Sequence, residues 1–149
     1  AAPDKKYFEE LTRISKNQII WGGNYFDLPP SKCWIIWDKG QRDFSLADGE
    51  MAWASFDKAM RIFELSRGAA NTETKIHPTQ KPIRLYEWIL SKFAKKGQRV
   101  FDSHLGSASS AIAAHYFGVD FVGCELDKDY FEAAKARFDI ATKQLAMSI

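Results

Sequence analysis

Three short segments carry residue types that could hold a charged, sugar-bearing ligand. Asp102-Ser103-His104-Leu105-Gly106-Ser107-Ala108 lies between a stretch that reads as a strand and one that reads as a helix. Its glycine lets the backbone approach a ligand closely, and the helix N-terminus beyond it offers free amides. A turn with one glycine is common, so alone it suits plain turn chemistry as well. Gly123-Cys124-Glu125 ends the next strand. That puts Glu125 roughly 20 residues past the turn, where a nucleoside-binding βαβ unit keeps the carboxylate that grips ribose hydroxyls. A carboxylate offers two acceptors for two adjacent hydroxyls, which Gln or Ser would match poorly. Glu125 would equally serve to cap the last helix beside Asp127, and the spacing leaves both roles open. The third segment is His77-Pro78-Thr79-Gln80-Lys81-Pro82. Its prolines fix an extended stretch before a helix, while Thr, Gln and Lys supply donors. Pro82 as a good first helical residue and His77 as a surface group explain it equally well on composition.

The elements that must position these residues follow from periodicity. Tyr7, Phe8, Leu11 and Ile14 recur at helical spacing behind Asp4 as N-cap, which predicts a helix over 4–16. Residues 18–21 read as a short buried strand stopped by Gly22-Gly23, and 33–37 as a second, β-branched and aromatic strand. Weaker strands are expected over 50–56 and 61–65. Pro82 opens a helix through Phe93, with Ile83, Tyr86, Ile89, Leu90 and Phe93 on one side. Then come a strand at 99–101, the turn, a helix at 109–117 and a strand at 120–124. Asp127 caps a final amphipathic helix through Phe138. Strand, turn, helix, strand is a βαβ unit, and such units build parallel α/β sheets.

Bulk properties narrow the class. The chain has 149 residues, enough for one domain with a sizeable core. Its longest unbroken apolar run, Cys33 to Trp37, is far too short to cross a bilayer, and the first residues lack the apolar core of a secretion signal. Two cysteines suggest no disulfide framework, so a reducing cytoplasm is expected, and neither has partners for a zinc site. A net charge of +2 does not announce a nucleic-acid binder, so any DNA contact must come from a local basic surface. Five Trp and eleven Phe exceed what a small core needs, and several flank polar turns in a way that suits stacking of flat ligands.

Taken together, His-Pro-Thr-Gln-Lys-Pro, a helix, a strand with Asp-x-x-x-Gly-Ser and then Gly-x-Glu-x-Asp resemble the β-class amino-methyltransferases of DNA. Trp21-Gly-Gly-Asn-Tyr-Phe26 and Trp34-Ile-Ile-Trp-Asp-Lys39 extend the match. The similarity covers most of the chain, follows the permuted motif order of that class, and is strongest to small adenine methyltransferases of phages and prophages. The resemblance implies an α/β, Rossmann-like methyltransferase fold with a mostly parallel twisted sheet flanked by helices, N-terminally truncated here. It implies a single domain over 1–149, with 1–66 on the target-base side, 67–76 a short recognition loop and 77–149 the cofactor-binding part. The implied cofactor is S-adenosyl-L-methionine, with Asp102, Leu105, Gly106 and Ser107 at the cofactor, Glu125 on the ribose, and His77, Thr79 and Lys81 near the methionine end. The implied partner is double-stranded DNA whose target base is flipped out. Asn24, Tyr25 and Phe26 are candidates for the base pocket, although core packing would use the two aromatics equally well. Lys5 and Lys6, with Lys92, Lys95 and Lys96, are candidates for phosphate contacts, although solvated helix faces carry such lysines too. Many relatives self-associate, which makes a homodimer a candidate assembly, and the expected setting is the cytoplasm of a bacterium or phage-infected host.

The chain departs from the family pattern at three places. Position 108 is Ala where relatives more often have a second Gly, so a positive φ or close ligand approach there would weaken binding. His104 stands where many relatives have Phe and is read as a packing residue. The Asp-Pro-Pro-Tyr type of motif, which holds the target amine, does not occur in these residues, leaving the catalytic residues unassigned. Asp27-Leu28-Pro29-Pro30 is rejected as a substitute, because a residue separates Asp from the prolines and Ser31 is not aromatic. The missing motif, with a first helix at the very N-terminus, favours a truncated enzyme over a non-catalytic cofactor- or DNA-binding module, and only the overall resemblance to phage adenine enzymes favours adenine-N6 over cytosine-N4. A dehydrogenase is disfavoured because no Gly-x-Gly-x-x-Gly is present.

Overall fold

Asp4 starts the first helix as its sequence predicts: Oδ1 accepts the Tyr7 N–H at 2.9 Å, satisfying one of the orphan amides of α1 (Lys5–Ile14). The computed structural model describes residues 3–148 except 71, 74, 78 and 79, with side chains to residue 143. Two units divide between Arg67 and Gly68.

In the first unit, α1 packs through Phe8 on Phe26, ring centroids 5.0 Å apart. Four strands follow: β1 (Ile19–Trp21), β2 (Cys33–Asp38), β3 (Gly49–Ala54) and β4 (Arg61–Glu64), in the order β1-β3-β2-β4. Along β2, Cys33, Ile35 and Trp37 are buried while Trp34, Ile36 and Asp38 are half-buried, the period-two pattern of a strand with one face on a core. β1 is only half-buried because it lies at the sheet edge, which corrects the expected buried strand.

Of the four pairings among the described strands, β2·β4 and that of β5 (Arg99–Asp102) with β6 (Asp120–Gly123) are parallel, and β1·β3 and β2·β3 are antiparallel. In place of one mostly parallel sheet, the first unit holds a four-stranded sheet with one parallel and two antiparallel pairings, and the second unit a two-stranded parallel sheet. A hairpin accounts for this: the connection over residues 39–48 returns β3 directly beside β2, with Gly49 opposite Asp38. A Cβ on Gly49 would lie 2.2 Å from the Trp37 carbonyl oxygen, so only glycine fits that closure.

Three tryptophans act as staples. Trp34 Nε1 donates to the Ser31 carbonyl at 3.0 Å, Trp53 Nε1 to Pro29 at 2.7 Å and Trp37 Nε1 to Leu65 at 2.9 Å. Aromatics beside polar turns, which the sequence suggests for stacking ligands, here pin loops to the sheet.

In the second unit, α2 (Arg67–Ala70), α3 (Ile83–Phe93), β5 (Arg99–Asp102), α4 (Ser109–Phe117), β6 (Asp120–Gly123) and α5 (Lys128–Ser148) follow in chain order. Pro82 sits at the N-cap of α3 and Asp127 accepts the Tyr130 N–H at 3.0 Å, both as the residue types predict. β5 and β6 pair in parallel across α4, which forms the expected βαβ unit. Ser109 to Ala114 are all buried, because small side chains let α4 approach its neighbours closely. Leu90 with Ala113 and Ala114, and Ala108 with Ala111 and Ala134, form core clusters in this unit. The helix α2 within the segment read as a recognition loop, and the 3-10 turn at Gly23–Tyr25, were not expected, since glycine-rich sequence reads as a break.

Candidate cofactor site

The parallel pair brings the carboxyl ends of β5 and β6 side by side, so the turn after one meets the turn after the other. Cys124 N–H donates to the Asp102 carbonyl at 2.9 Å, and Leu105 N–H to the Cys124 carbonyl at 2.8 Å. Asp102 fastens the turn to α4: Oδ1 accepts the His104 N–H at 3.0 Å and Oδ2 the Ser110 hydroxyl at 2.6 Å. Glu125 bridges the two turns. Its Oε1 accepts the Gly106 N–H at 3.1 Å and its Oε2 the Asp127 N–H at 3.0 Å. Each carboxylate oxygen has two lone pairs, so these two bonds leave an acceptor site on each oxygen.

Gly106 takes φ +56°, and a Cβ built there would have as nearest neighbours the His104 carbonyl oxygen and His77 Cδ2, both at 3.9 Å. The backbone is thus bare toward open space bordered by the His77 ring. That ring rests on Tyr130, centroids 4.5 Å apart. Next to Glu125, Leu126 is fully exposed, an apolar side chain that sequence reasoning passed over. Gly106, Glu125, Leu126, His77 and Tyr130 all belong to the second unit and are held by the two strand ends and the start of α5.

Other expected residues are placed differently. Leu105 is a core residue, packed with Ala108, Ala111 and Ala134. Ser107 is buried, its hydroxyl 3.1 Å from that of Ser109, so it faces the protein interior. Lys81 is half-buried ahead of Pro82, and Thr79 lies outside the described residues. His104 is exposed, its Nδ1 2.9 Å from the Ser103 hydroxyl, which corrects its reading as a packing residue: the Asp102 cap on its amide leaves the ring at the surface.

Ala108 takes φ +71°, a left-handed conformation that costs an L-residue about 1–2 kcal/mol. Its methyl is 1% exposed and packs in the core cluster, so it does not confront a ligand. Ala108→Gly relieves the strain but loses a buried methyl, about 0.8 kcal/mol, and adds chain freedom of about 0.5–1 kcal/mol. The terms nearly cancel. Chemical denaturation is expected to show a change below about 1 kcal/mol; a loss of several times that would mean the methyl outweighs the strain.

Arg137 and Glu73 were missed by sequence reasoning. Arg137 Nη1 donates to the Ser107 carbonyl at 2.9 Å and the Ser109 hydroxyl at 2.8 Å, and Nη2 to Glu73 Oε1 at 3.0 Å. The two Glu73 oxygens also accept the Ile83 N–H at 3.1 and 2.9 Å, capping α3. Burial pushes the Glu73 carboxyl up, against the pull of the Ile83 amide and the Arg137 charge. The available signal was an Arg among Tyr130, Ala134 and Phe138 on the inward side of α5, where a charge needs a partner.

In the first unit, Asn24 and Tyr25 are exposed, Tyr25 by 84%, while Phe26 packs on Phe8. Lys5 and Lys6 are exposed on α1, with Lys5 4.0 Å from Glu9. Among the described residues no acidic, Cys or His cluster could hold a metal, and no helix is long and apolar enough to cross a membrane.

Comparison with known proteins adds to this geometry. The family model described as DNA methylase matches residues 5–136. The type II methyltransferase M2.DpnII of Streptococcus pneumoniae is 35% identical over 63 residues, 42% of this chain and 24% of that protein. The type II methyltransferase M.HpaI of Haemophilus parainfluenzae is 35% identical over 69 residues, 46% of this chain and 22% of that protein. The crystal structure of an M1.HpyAVI-SAM complex superposes with a TM-score of 0.56 at 30% identity, covering 70% of this chain and 60% of that one. The matched stretch therefore spans about a quarter of each of the two type II methyltransferases.

Proposed function

Because the chain belongs to the DNA methylase family, we propose that it binds S-adenosyl-L-methionine in its second unit and serves transfer of the methyl group to the N6 amine of adenine in DNA. The observation that carries this reading is Glu125, a carboxylate locked between the Gly106 and Asp127 amides, with a bare glycine backbone on one side and an exposed leucine on the other. The likeness to M1.HpyAVI, solved as a complex with the cofactor, supports it.

The residues present fit the cofactor. Glu125 keeps lone pairs for two ribose hydroxyls, Leu126 offers an apolar face to the adenine ring, and the bare Gly106 backbone admits close approach beside His77. Lys81, half-buried ahead of Pro82, would supply a cation for the carboxylate of the methionine part. When bound, the cofactor supplies a methyl group already activated by its sulfonium. The chain's own residues then need only hold and orient, since positioning two reactants supplies most of what such a displacement requires. Asp102 and Arg137 fix the turn, and Glu125 fixes the turn against β6.

On the base side, exposed Tyr25 and Asn24 are available to a flipped base, and exposed Lys5 and Lys6 to phosphates. The resemblance of the motifs to adenine enzymes of phages favours adenine over cytosine.

The test is transfer of labelled methyl to unmethylated duplex DNA followed by nucleoside analysis, run on this chain and on the reading frame extended upstream. N6-methyladenine is expected from the form that includes an Asp-Pro-Pro-Tyr type of motif. N4-methylcytosine would replace the target base. No methylated base from either, with cofactor still bound, would leave a cofactor-binding module without transfer.

A further inference from the structure

We propose that Arg137, held by Glu73, is a positioning residue for the turn that meets the cofactor; this rests on reading the second unit as an S-adenosylmethionine site. The guanidinium, on the inward side of α5, joins parts of the chain far apart in sequence. Its Nη1 reaches the Ser107 carbonyl and the Ser109 hydroxyl, with the Ser107 hydroxyl at 3.4 Å, and its Nη2 reaches Glu73, which in turn caps α3 through the Ile83 amide. Both side chains are largely buried, Arg137 at 11% and Glu73 at 17% exposure.

The place where these bonds land gives them their meaning. Between Ser107 and Ser109 lies Ala108, in the left-handed conformation that alanine disfavours, and no described side chain caps α4 behind it. A strained linkage persists only where its surroundings over-determine it. Arg137 grips the residue on each side of Ala108. One residue before that grip, the Gly106 amide must meet Glu125. Releasing the grip lets the turn relax and carries the Gly106 amide away from the carboxylate, so the cofactor contact loosens although no ligand-facing side chain has changed.

A planar fork is required to hold two partners on one nitrogen edge and a carboxylate on the other, and a lysine ammonium on a flexible stem is not equivalent. Arg137→Lys keeps the charge beside Glu73 but gives up the two-sided grip. Ser109→Ala removes one of the two grips and leaves the ion pair intact.

The experiment measures S-adenosylhomocysteine affinity by calorimetry, amide hydrogen exchange of residues 103–113, and melting temperature, for the full chain and both variants. Arg137→Lys is expected to weaken binding about tenfold, and Ser109→Ala about threefold. Exchange should be faster in the turn than in α3 or β6, and the melting temperature of Ser109→Ala should be close to wild type. A purely structural role would instead lower melting while leaving the turn no more exposed than the rest. If both variants bind within twofold of wild type and exchange in the turn is unchanged, the proposal is overturned. If Arg137→Lys does not fold, Ser109→Ala decides by the same two readouts. If the wild-type chain itself fails to bind S-adenosylhomocysteine, the cofactor reading falls, while faster turn exchange in the variants still upholds the positioning role and unchanged exchange still refutes it.

Discussion

Glu125→Ala is expected to weaken S-adenosylmethionine binding by about 100-fold or more, since hydrogen bonds to a charged acceptor contribute about 1.5–3 kcal/mol each and two ribose hydroxyls lose theirs. The same truncation frees the Gly106 and Asp127 amides, so the turn after β5 loses its tie to β6 as well. Glu125→Gln separates the two effects. An amide side chain keeps one oxygen acceptor, so it can hold one of the two backbone N–H groups and one hydroxyl at most. Its affinity should fall between those of wild type and Glu125→Ala, with little change in melting. Equilibrium dialysis with labelled cofactor measures both variants. An unchanged affinity in Glu125→Ala would remove this carboxylate from the site and leave it only as a cap beside α5.

The second large effect is expected in the first unit. A Cβ on Gly23 would lie 2.4 Å from Trp53 Cβ and 3.1 Å from Trp53 N, so Gly23→Ala must push the 3-10 turn off β3. The cost is expected to be about 3 kcal/mol, at the upper end for overpacking a tight contact. Neighbouring Gly22 is a different case. Its φ is +71° with only the Tyr25 ring edge nearby at 3.6 Å, so Gly22→Ala meets strain rather than collision and should cost about 1 kcal/mol. Urea denaturation followed by tryptophan fluorescence distinguishes the two. Equal, small losses would mean that Trp53 yields easily and that the glycine pair is not what sets the placement of Asn24 and Tyr25.

The local chemistry of the elements was legible in the sequence. Asp4 and Asp127 announce helix starts because capping depends on one side chain and the few amides after it, and Pro82 announces one through its fixed φ and missing N–H. The unbroken apolar run from Cys33 to Trp37, rich in β-branched and aromatic residues, announces β2. Strand direction was not legible, because antiparallel return of β3 is decided by a close approach of Gly49 to Trp37, between residues far apart in the chain. The candidate cofactor site was legible in its backbone and only partly in its side chains. Gly106 takes a positive φ that glycine permits, and its amide meets the Glu125 carboxylate that the spacing singled out. Leu105 and Ser107 share the same motif yet turn inward, since neighbours in a tight turn cannot all face one side. Arg137 and Glu73 left almost no trace in the sequence, because a buried ion pair is defined by two distant positions whose partnership only the fold creates.

The most direct measurement is titration of the isotope-labelled chain with S-adenosylhomocysteine, followed by amide chemical shifts. Binding in the second unit predicts saturable shifts at Gly106, Glu125 and Leu126, with His77 following, and none of comparable size in β2 or β3. Saturable shifts confined to other residues, or no saturable shift at any cofactor concentration, would contradict the assignment of this turn and this carboxylate to the cofactor.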